Sequence, residues 1–260
     1  MAKIKPFTVI FEDAAIIAVN KASGIAVTGE RWDEEAPRLD LLLKNQLYVQ
    51  GNNAETELFT VHRIDKETSG LVVFAKDRET HRRLSAAFEK REVEKTYTAV
   101  VHGRPFWPGG KTSCDLCLVP DGNKNHLTII DQYQGKPSCT GFTLLFSAGN
   151  YSVVEAFPQT GRTHQIRVHL SAMGFPIVCD PLYGKQTRKS GGRRGIYLSS
   201  FKRNWQGDET EERPLLDRLG LHAARLVFGS TANIGGVTSL EAPLPRDMAA
   251  LIKQMEKCRS

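Results

Sequence analysis

The chain has no apolar run long enough to cross a bilayer, and its opening Met-Ala-Lys-Ile-Lys-Pro has no continuous apolar core of the kind that directs export. Neither membrane insertion nor secretion is indicated, and a cytoplasmic protein is expected. Cysteine is scarce: five residues, an odd number at irregular spacing, suit thiols in a reducing compartment better than a disulfide framework. Cys114-Asp115-Leu116-Cys117 has Cys-x-x-Cys spacing, and His126 or Cys139 could add ligands. No second closely spaced pair accompanies it, so no metal is expected. His164 and His169 stand five apart without a glutamate partner, which excludes the zinc-protease helix pattern. A phosphate-cradling glycine motif, an internal repeat and a long low-complexity linker are also missing. Acidic residues are absent from one stretch, Pro181 to Gly207, which carries seven cations: Lys185, Arg188, Lys189, Arg193, Arg194, Lys202 and Arg203.

What is present is a chain of 260 residues, 40% hydrophobic, able to bury a substantial core as one large domain or two lobes sharing a cleft. We expect a single domain over 1–260 with a basic loop insertion at 185–217. The net charge of +6 favours a polyanionic partner without specifying fold or chemistry. In the basic stretch Tyr197, Phe201 and Trp205 stand among the cations, a mixture that suits RNA through phosphate contacts and stacking. A solvated loop around Ser190-Gly191-Gly192 reads equally well. Asp208, Glu209, Glu211 and Glu212 follow and could fold back onto it.

The richest segment is His62-Arg63-Ile64-Asp65-Lys66-Glu67-Thr68-Ser69-Gly70, followed by Leu71-Val72-Val73-Phe74-Ala75-Lys76. A polar turn feeding an apolar β-type run places Asp65 at the mouth of a buried strand, where a rigid scaffold can hold a reactive side chain at the rim of a cleft. The plainer alternative is that Asp65 caps the turn and pairs with Arg63.

Around it, Thr8 to Phe11 and Ile16 to Val19 read as strands about an acidic turn. Leu39, Leu42, Leu43 and Leu47 recur at helical spacing as core residues. Asp77 is a good N-cap for a helix to about Lys90, with Leu84, Ala87 and Phe88 inward and Arg78, Arg82 and Arg83 outward. Alternation from Glu94 to Val101 puts Lys95, Tyr97 and Ala99 on one face of a strand. Further strands are expected at Gly141 to Phe146 and Tyr151 to Phe157. Thr163 would cap a helix from His164 to Met173, ended by Gly174, with Ile166, His169, Leu170 and Met173 in one stripe and Arg167 at its margin. Met248, Leu251, Ile252 and Met255 mark a closing helix. Strands outnumber helices and are joined directly, so the class is α+β with mainly antiparallel pairing.

The pattern His62-Arg63-x-Asp65-x-x-Thr68-Ser69-Gly70 resembles the signature of the RluA-type pseudouridine synthases. Gly161-Arg162-Thr163-His164-Gln165-Ile166-Arg167-Val168-His169-Leu170, then Gly174-Phe175-Pro176-Ile177 and Asp180-Pro181-Leu182-Tyr183-Gly184, resembles that family's second signature in the expected order. Looser correspondences, at Asp13 with Asn20 to Gly24, Lys95 to Gly103, Gly135-Lys136, Leu221 to Ala223 and Ala242 to Pro245, extend over nearly the whole chain.

The resemblance implies a central, mainly antiparallel mixed sheet with flanking helices and loops and an active-site cleft across it. It implies a cofactor-free isomerase that converts uridine in transfer RNA or large-subunit ribosomal RNA to pseudouridine. Asp65 matches the catalytic aspartate, acting at C1′, at the uracil ring or on the 2′ proton. Arg167 matches the arginine that pairs with it, and Tyr97 the tyrosine that stacks on uracil and can remove the C5 proton. Arg63 matches the arginine proposed to fill the gap left by an extruded nucleotide, though a phosphate contact fits it almost as well. His62 and Thr68 are read as shaping the substrate-binding loop, Ile166 as apolar wall beside the base, and Arg162, His164 and Lys21 as RNA-backbone contacts. Asp180 is read as structural.

Ile64 stands where leucine is usual, and Cys179 where glycine often precedes the aspartate. The small S4-type RNA-binding module that precedes some members is not expected, and the protein is expected to be a monomer. Two alternatives remain: an RNA-binding or ribosome-assembly protein on the same fold without turnover, and a glycosidic-bond hydrolase, which would want two carboxylates flanking the bond.

Overall fold

The computed structural model describes residues 5–29, 37–49, 57–121, 127–184, 195–202, 206–208, 211–229 and 236–259. Among them the elements run β1 (Phe7–Glu12), β2 (Ile16–Lys21), α1 (Leu39–Val49), β3 (Phe59–Thr60), β4 (Ser69–Ala75), α2 (Arg78–Glu89), β5 (Val93–His102), β6 (Lys111–Asp121), β7 (Leu127–Ile130), β8 (Lys136–Ala148), β9 (Tyr151–Pro158), α3 (Gln165–Ala172), β10 (Leu221–Phe228), β11 (Ser239–Glu241) and α4 (Arg246–Lys257), with two short 3-10 turns. The class is α+β. Two compact units divide the chain: Met1–Thr96 with Ala223–Pro243, and Tyr97–His222 with Leu244–Ser260. No helix among the described residues is long and apolar enough to cross a membrane.

In the first unit β1, β2, β4 and β10 are neighbours in that order, β3 adds to β4 and β11 to β10. The β1–β2, β2–β4, β3–β4 and β10–β11 pairs are antiparallel. The acidic turn works as its residues suggest: Asp13 Oδ1 accepts the Ala15 and Ile16 N–H groups at 2.8 and 2.7 Å, closing the hairpin. All of β4 is buried, which accounts for its unbroken apolar run. Ile16, Ala18, Leu71, Val73, Leu84, Ala87, Leu226 and Phe228 share one core cluster. Asp77 caps α2, its carboxylate accepting the Thr80 N–H at 2.8 Å and the Thr80 hydroxyl at 2.7 Å. Such a cap contributes about 1 kcal/mol. Leu42 of α1 is half-buried, so the core stripe of that helix is Leu39, Leu43 and Leu47.

In the second unit the order is β5, β9, β8, β6, β7, and every pair is antiparallel. Successive residues of β5 face opposite ways: Ala99 and Val101 join one cluster with Ile166 and Leu170 of α3, while Val100 joins another with Met248, Leu251 and Met255 of α4. Each face of this sheet therefore carries one helix. β6 and β7 were not anticipated, because β6 alternates exposed with half-buried residues and offers little apolar periodicity. Cys114 and Cys117 both lie on β6, and an odd separation on a strand points them to opposite faces.

Of the basic stretch, Lys185, Arg188, Lys189, Arg193, Arg194, Arg203 and Trp205 lie outside the described residues, as does Glu209. Phe201, read as one of the aromatics among the cations, is half-buried and packs against the α4 cluster, its ring 5.5 Å from that of Tyr151. The fold-back of acidic residues is seen at Glu212, whose carboxylate accepts the Ser199 N–H at 2.8 Å and hydroxyl at 2.7 Å.

Candidate active site

Asp65 opens a turn closed by the Thr68 N–H on the Asp65 carbonyl, 3.1 Å, and the chain then enters β4. Aspartate at the first turn position and the short polar run after it favour this local conformation. Gly70 has φ +123°, and a Cβ there would stand 2.6 Å from the Ala223 nitrogen and closer still to its carbonyl oxygen. Only glycine admits that approach.

A second loop braces the turn from β2. The β2–β4 register sets Lys21 opposite Gly70. The Lys21 ammonium donates to the carbonyls of Ala22, Ile25 and Lys66 at 2.9, 2.7 and 3.0 Å. The Ser23 hydroxyl donates to the Glu67 carbonyl at 2.6 Å, and the Gly24 N–H to that of Lys66 at 2.9 Å. The main chain of 66–67, immediately after Asp65, is thus held by three separate donors. Lys21 is 1% exposed, so the expectation that it contacts the RNA backbone is corrected: its ammonium is spent inside the protein.

His62 also turns inward. Its Nε2 accepts the Val73 N–H at 3.0 Å, which requires the proton on Nδ1, and its ring stacks on Phe88 with centroids 4.6 Å apart. Burial, with the Lys95 charge adding to it, pushes the imidazole down to about 3. His62 is neutral and ties the loop to β4 and α2. Thr68 is buried as well. Both side chains are turned toward the protein, His62 onto β4 and Thr68 into the base of the turn. Arg63 and half-buried Asp65 retain access to solvent, Arg63 the more exposed.

In the second unit Tyr97 sits on β5 opposite Ala156 of β9 and packs against the cluster that includes Ile166. Tyr97 and Ile166 thus belong to the same packed region of the second unit. Upstream of α3, Gln165 organises the chain. Its Oε1 accepts the Thr160 hydroxyl at 2.6 Å and the Arg162 N–H at 3.0 Å, and its Nε2 donates to the Cys139 carbonyl at 3.0 Å and the Thr140 hydroxyl at 2.9 Å. Thr163 is not the cap. His164 holds that position in the left-handed region, φ 53°, without a side-chain cap bond, because the Gln165 anchor draws the chain into the helix there. At the far end the Gly174 N–H reaches Ser171 and the Phe175 N–H reaches Leu170, so glycine ends α3 as expected.

Arg167 is 2% exposed, not marginal. Its Nε and Nη2 donate to Asp180 Oδ2 and Oδ1, both at 2.8 Å, and its guanidinium lies 5.2 Å from the centroid of the Tyr183 ring. Oδ1 of Asp180 also accepts the Leu182 and Tyr183 N–H groups at 2.9 and 3.1 Å. Burial alone would raise the Asp180 carboxyl, but the Arg167 hydrogen bonds and charge, with the two N–H groups, outweigh it and hold the group below its ordinary value. The Tyr183 hydroxyl takes the Thr128 N–H at 2.7 Å and lies 2.9 Å from His164 Nδ1. His164, expected on the RNA backbone, is engaged with Tyr183, and Arg162 Nε donates to the Pro137 carbonyl at 3.3 Å.

His169 is wholly buried, its Nε2 2.9 Å from the Ser138 hydroxyl, which itself donates to the Leu116 carbonyl at 2.7 Å. The hydroxyl proton being committed, Nε2 carries the ring proton. Burial pushes this imidazole down to about 4. Gln165 and Tyr183 were not singled out from sequence, although both lie within the second signature.

Residues 15–172 match the family model described as RNA pseudouridylate synthase. The chain is 30% identical over 252 residues to the ribosomal large subunit pseudouridine synthase D of Zymomonas mobilis, covering 96% of this chain and 73% of that protein. It is 38% identical over 184 residues to the ribosomal large subunit pseudouridine synthase C of Rickettsia bellii, covering 70% and 58%. Among solved structures, human RNA pseudouridylate synthase domain containing 4 is similar in fold, with a TM-score of 0.70 at 21% identity over 95% of this chain and 92% of that one.

Proposed function

We propose, from the premise that this chain belongs to the RluA-type RNA pseudouridylate synthases and is an RNA pseudouridine synthase, that Asp65 is its catalytic residue and large-subunit ribosomal RNA its substrate. The observation that carries the assignment of Asp65 is the bracing of its turn by Lys21, Ser23 and Gly24. A side chain at the head of a rigid turn has its backbone fixed in place, which is what positional catalysis requires. The relatives named for the ribosomal large subunit favour that RNA over transfer RNA.

The reaction breaks the bond between uracil N1 and C1′, turns the held base, joins C5 to C1′, releases the C5 proton and returns a proton to N1. No electrons are exchanged. Asp65 supplies the carboxylate. Tyr97 is the ring that stacks on uracil and the base for the C5 proton. Arg167 is the cation of the set, and Arg63 the residue that enters the space of the extruded nucleotide.

The test is tritium release from transcripts labelled at uridine C5, with large-subunit ribosomal RNA and transfer RNA assayed apart. Release from the ribosomal transcript is expected, with Asp65→Asn slower by at least about 10³-fold, within the range of a lost acid–base or nucleophilic group, and with its melting temperature unchanged. Release only from transfer RNA would move the substrate class. Binding without release from either would leave an RNA-binding protein on this fold.

A further inference from the structure

Asp180, read from sequence as structural, holds the one buried guanidinium described at the second signature in a fixed pose. We propose that Asp180, with Tyr183, is a positioning residue for Arg167, an inference that rests on the role given to Arg167 above.

A guanidinium can turn about its Cδ–Nε bond and tilt out of plane. Asp180 removes the first freedom, because its two oxygens take Nε and Nη2 together at 2.8 Å each. The Tyr183 ring, 5.2 Å from Arg167 Cζ, restricts the second. Both restraints are themselves fixed. The Asp180 carboxylate is tied to the turn by the Leu182 and Tyr183 N–H groups, and the turn is closed by the Gly184 N–H on the Asp180 carbonyl at 3.1 Å. The Tyr183 hydroxyl is held between the Thr128 N–H of β7 and His164 Nδ1 at the head of α3. Three parts of the second unit, the 180–184 turn, β7 and the start of α3, therefore converge on the orientation of one side chain. A buried ion pair needs only charge and hydrogen bonds to be satisfied. A ring seated on the cation and anchored at both sides of its hydroxyl goes beyond that need. Displacement of a charged group by about 1 Å can lower a rate about 10²-fold, so a pose held this way has consequences for turnover.

The distribution of bonds supplies a selective variant. Among the described residues, Oδ1 of Asp180 accepts three donors, Arg167 Nη2, Leu182 N–H and Tyr183 N–H, whereas Oδ2 accepts Arg167 Nε. Asp180→Asn with its oxygen at Oδ1 keeps all three and sets an amide N–H against the Nε–H. The turn is retained, and the edge that fixes the guanidinium is repelled.

The experiment compares single-turnover tritium release and RNA affinity for wild type, Asp180→Asn, Arg167→Lys and the double variant, on the transcript wild type modifies. Asp180→Asn is expected to slow the single-turnover step by at least about tenfold with RNA affinity held within about threefold, the split expected of a displaced catalytic group. In the Arg167→Lys background the same replacement is expected to change the rate less than about threefold, because a residue acting through another is not additive with it. A rate within about twofold of wild type, or an equal factor in both backgrounds, overturns the proposal. Should circular dichroism show that Asp180→Asn does not fold, Tyr183→Leu undergoes the same two comparisons against the same limits. Absence of release by wild type itself would sink the functional reading first, whereas the proposal alone fails when wild type turns over and the variants match it.

Discussion

The turn at Asp65 and the head of α3 carry the two signatures, and they are held in opposite ways. At Asp65 the restraint is redundant and made on main-chain carbonyls: Lys21 and the Gly24 N–H both reach the Lys66 carbonyl, and Ser23 reaches that of Glu67. At α3 the restraint is concentrated in side chains. Gln165 bonds to Thr160, Arg162, Cys139 and Thr140, and Asp180 takes the Nε–Nη2 edge of Arg167. A carbonyl-held turn survives loss of one donor, whereas a hub leaves several buried groups without partners when it goes.

That contrast sets the order of expected losses. Gln165→Leu should cost about 3–4 kcal/mol in urea denaturation: the Thr160 and Thr140 hydroxyls and the Arg162 N–H lose this partner, and of its four partners the Cys139 carbonyl keeps the Gln159 N–H. Lys21→Met should cost less, about 2–3 kcal/mol: the Ala22 and Ile25 carbonyls lose their donor, but the Lys66 carbonyl keeps the Gly24 N–H, and the burial cost of the ammonium disappears. A larger loss for Lys21→Met than for Gln165→Leu would break the comparison.

Acid should act on both regions through their buried imidazoles. His62 and His169 are pushed down to about 3 and about 4, against roughly 6.5 in the unfolded chain. Below roughly 6.5 the unfolded state binds more protons, so stability complete above that pH falls as pH falls, until about 4 for His169 and about 3 for His62. The slope is about 1.4 kcal/mol per pH unit for each group, or about 2 kcal/mol each by pH 5. Denaturation at pH 7 and pH 5 of wild type, His62→Gln and His169→Gln would check it, each replacement flattening the slope by one proton.

The smallest effect is expected at Cys179, whose φ of 57° lies in the left-handed region. Glycine adopts that conformation without cost, and cysteine does not. Relief of about 1 kcal/mol is set against lost packing of the thiol and a more flexible unfolded chain, so Cys179→Gly should fall within about 1 kcal/mol of wild type and melt above Cys179→Ala. The reverse order, measured by thermal denaturation, would show that packing outweighs backbone strain here.

Residue identity alone determined much of this protein. Local signals, an Asp-x-x-Thr turn ahead of an apolar run, Asp77 before a periodic stretch, glycine after Met173, act within a few residues, and the structure places β4, α2 and the end of α3 where they point. Asp65, Tyr97 and Arg167 were singled out differently, through the resemblance of contiguous motifs to a family signature, and their roles are those proposed above. Tertiary structure decided what depends on partners distant in sequence. Lysine ordinarily seeks water, so nothing in Asn20-Lys21-Ala22 discloses that the Lys66 carbonyl, 45 positions on, draws Lys21 inside. Helical spacing put Arg167 at a margin, yet Asp180 buries it by neutralising its charge at 2.8 Å. The left-handed turns at His164 and Cys179, and the half-exposed strands β6 and β7, follow from hydrogen bonds and neighbours that local propensity does not encode. Covalent order and side-chain type act at short range, but burial and ion pairing are settled only when the fold brings the partners together.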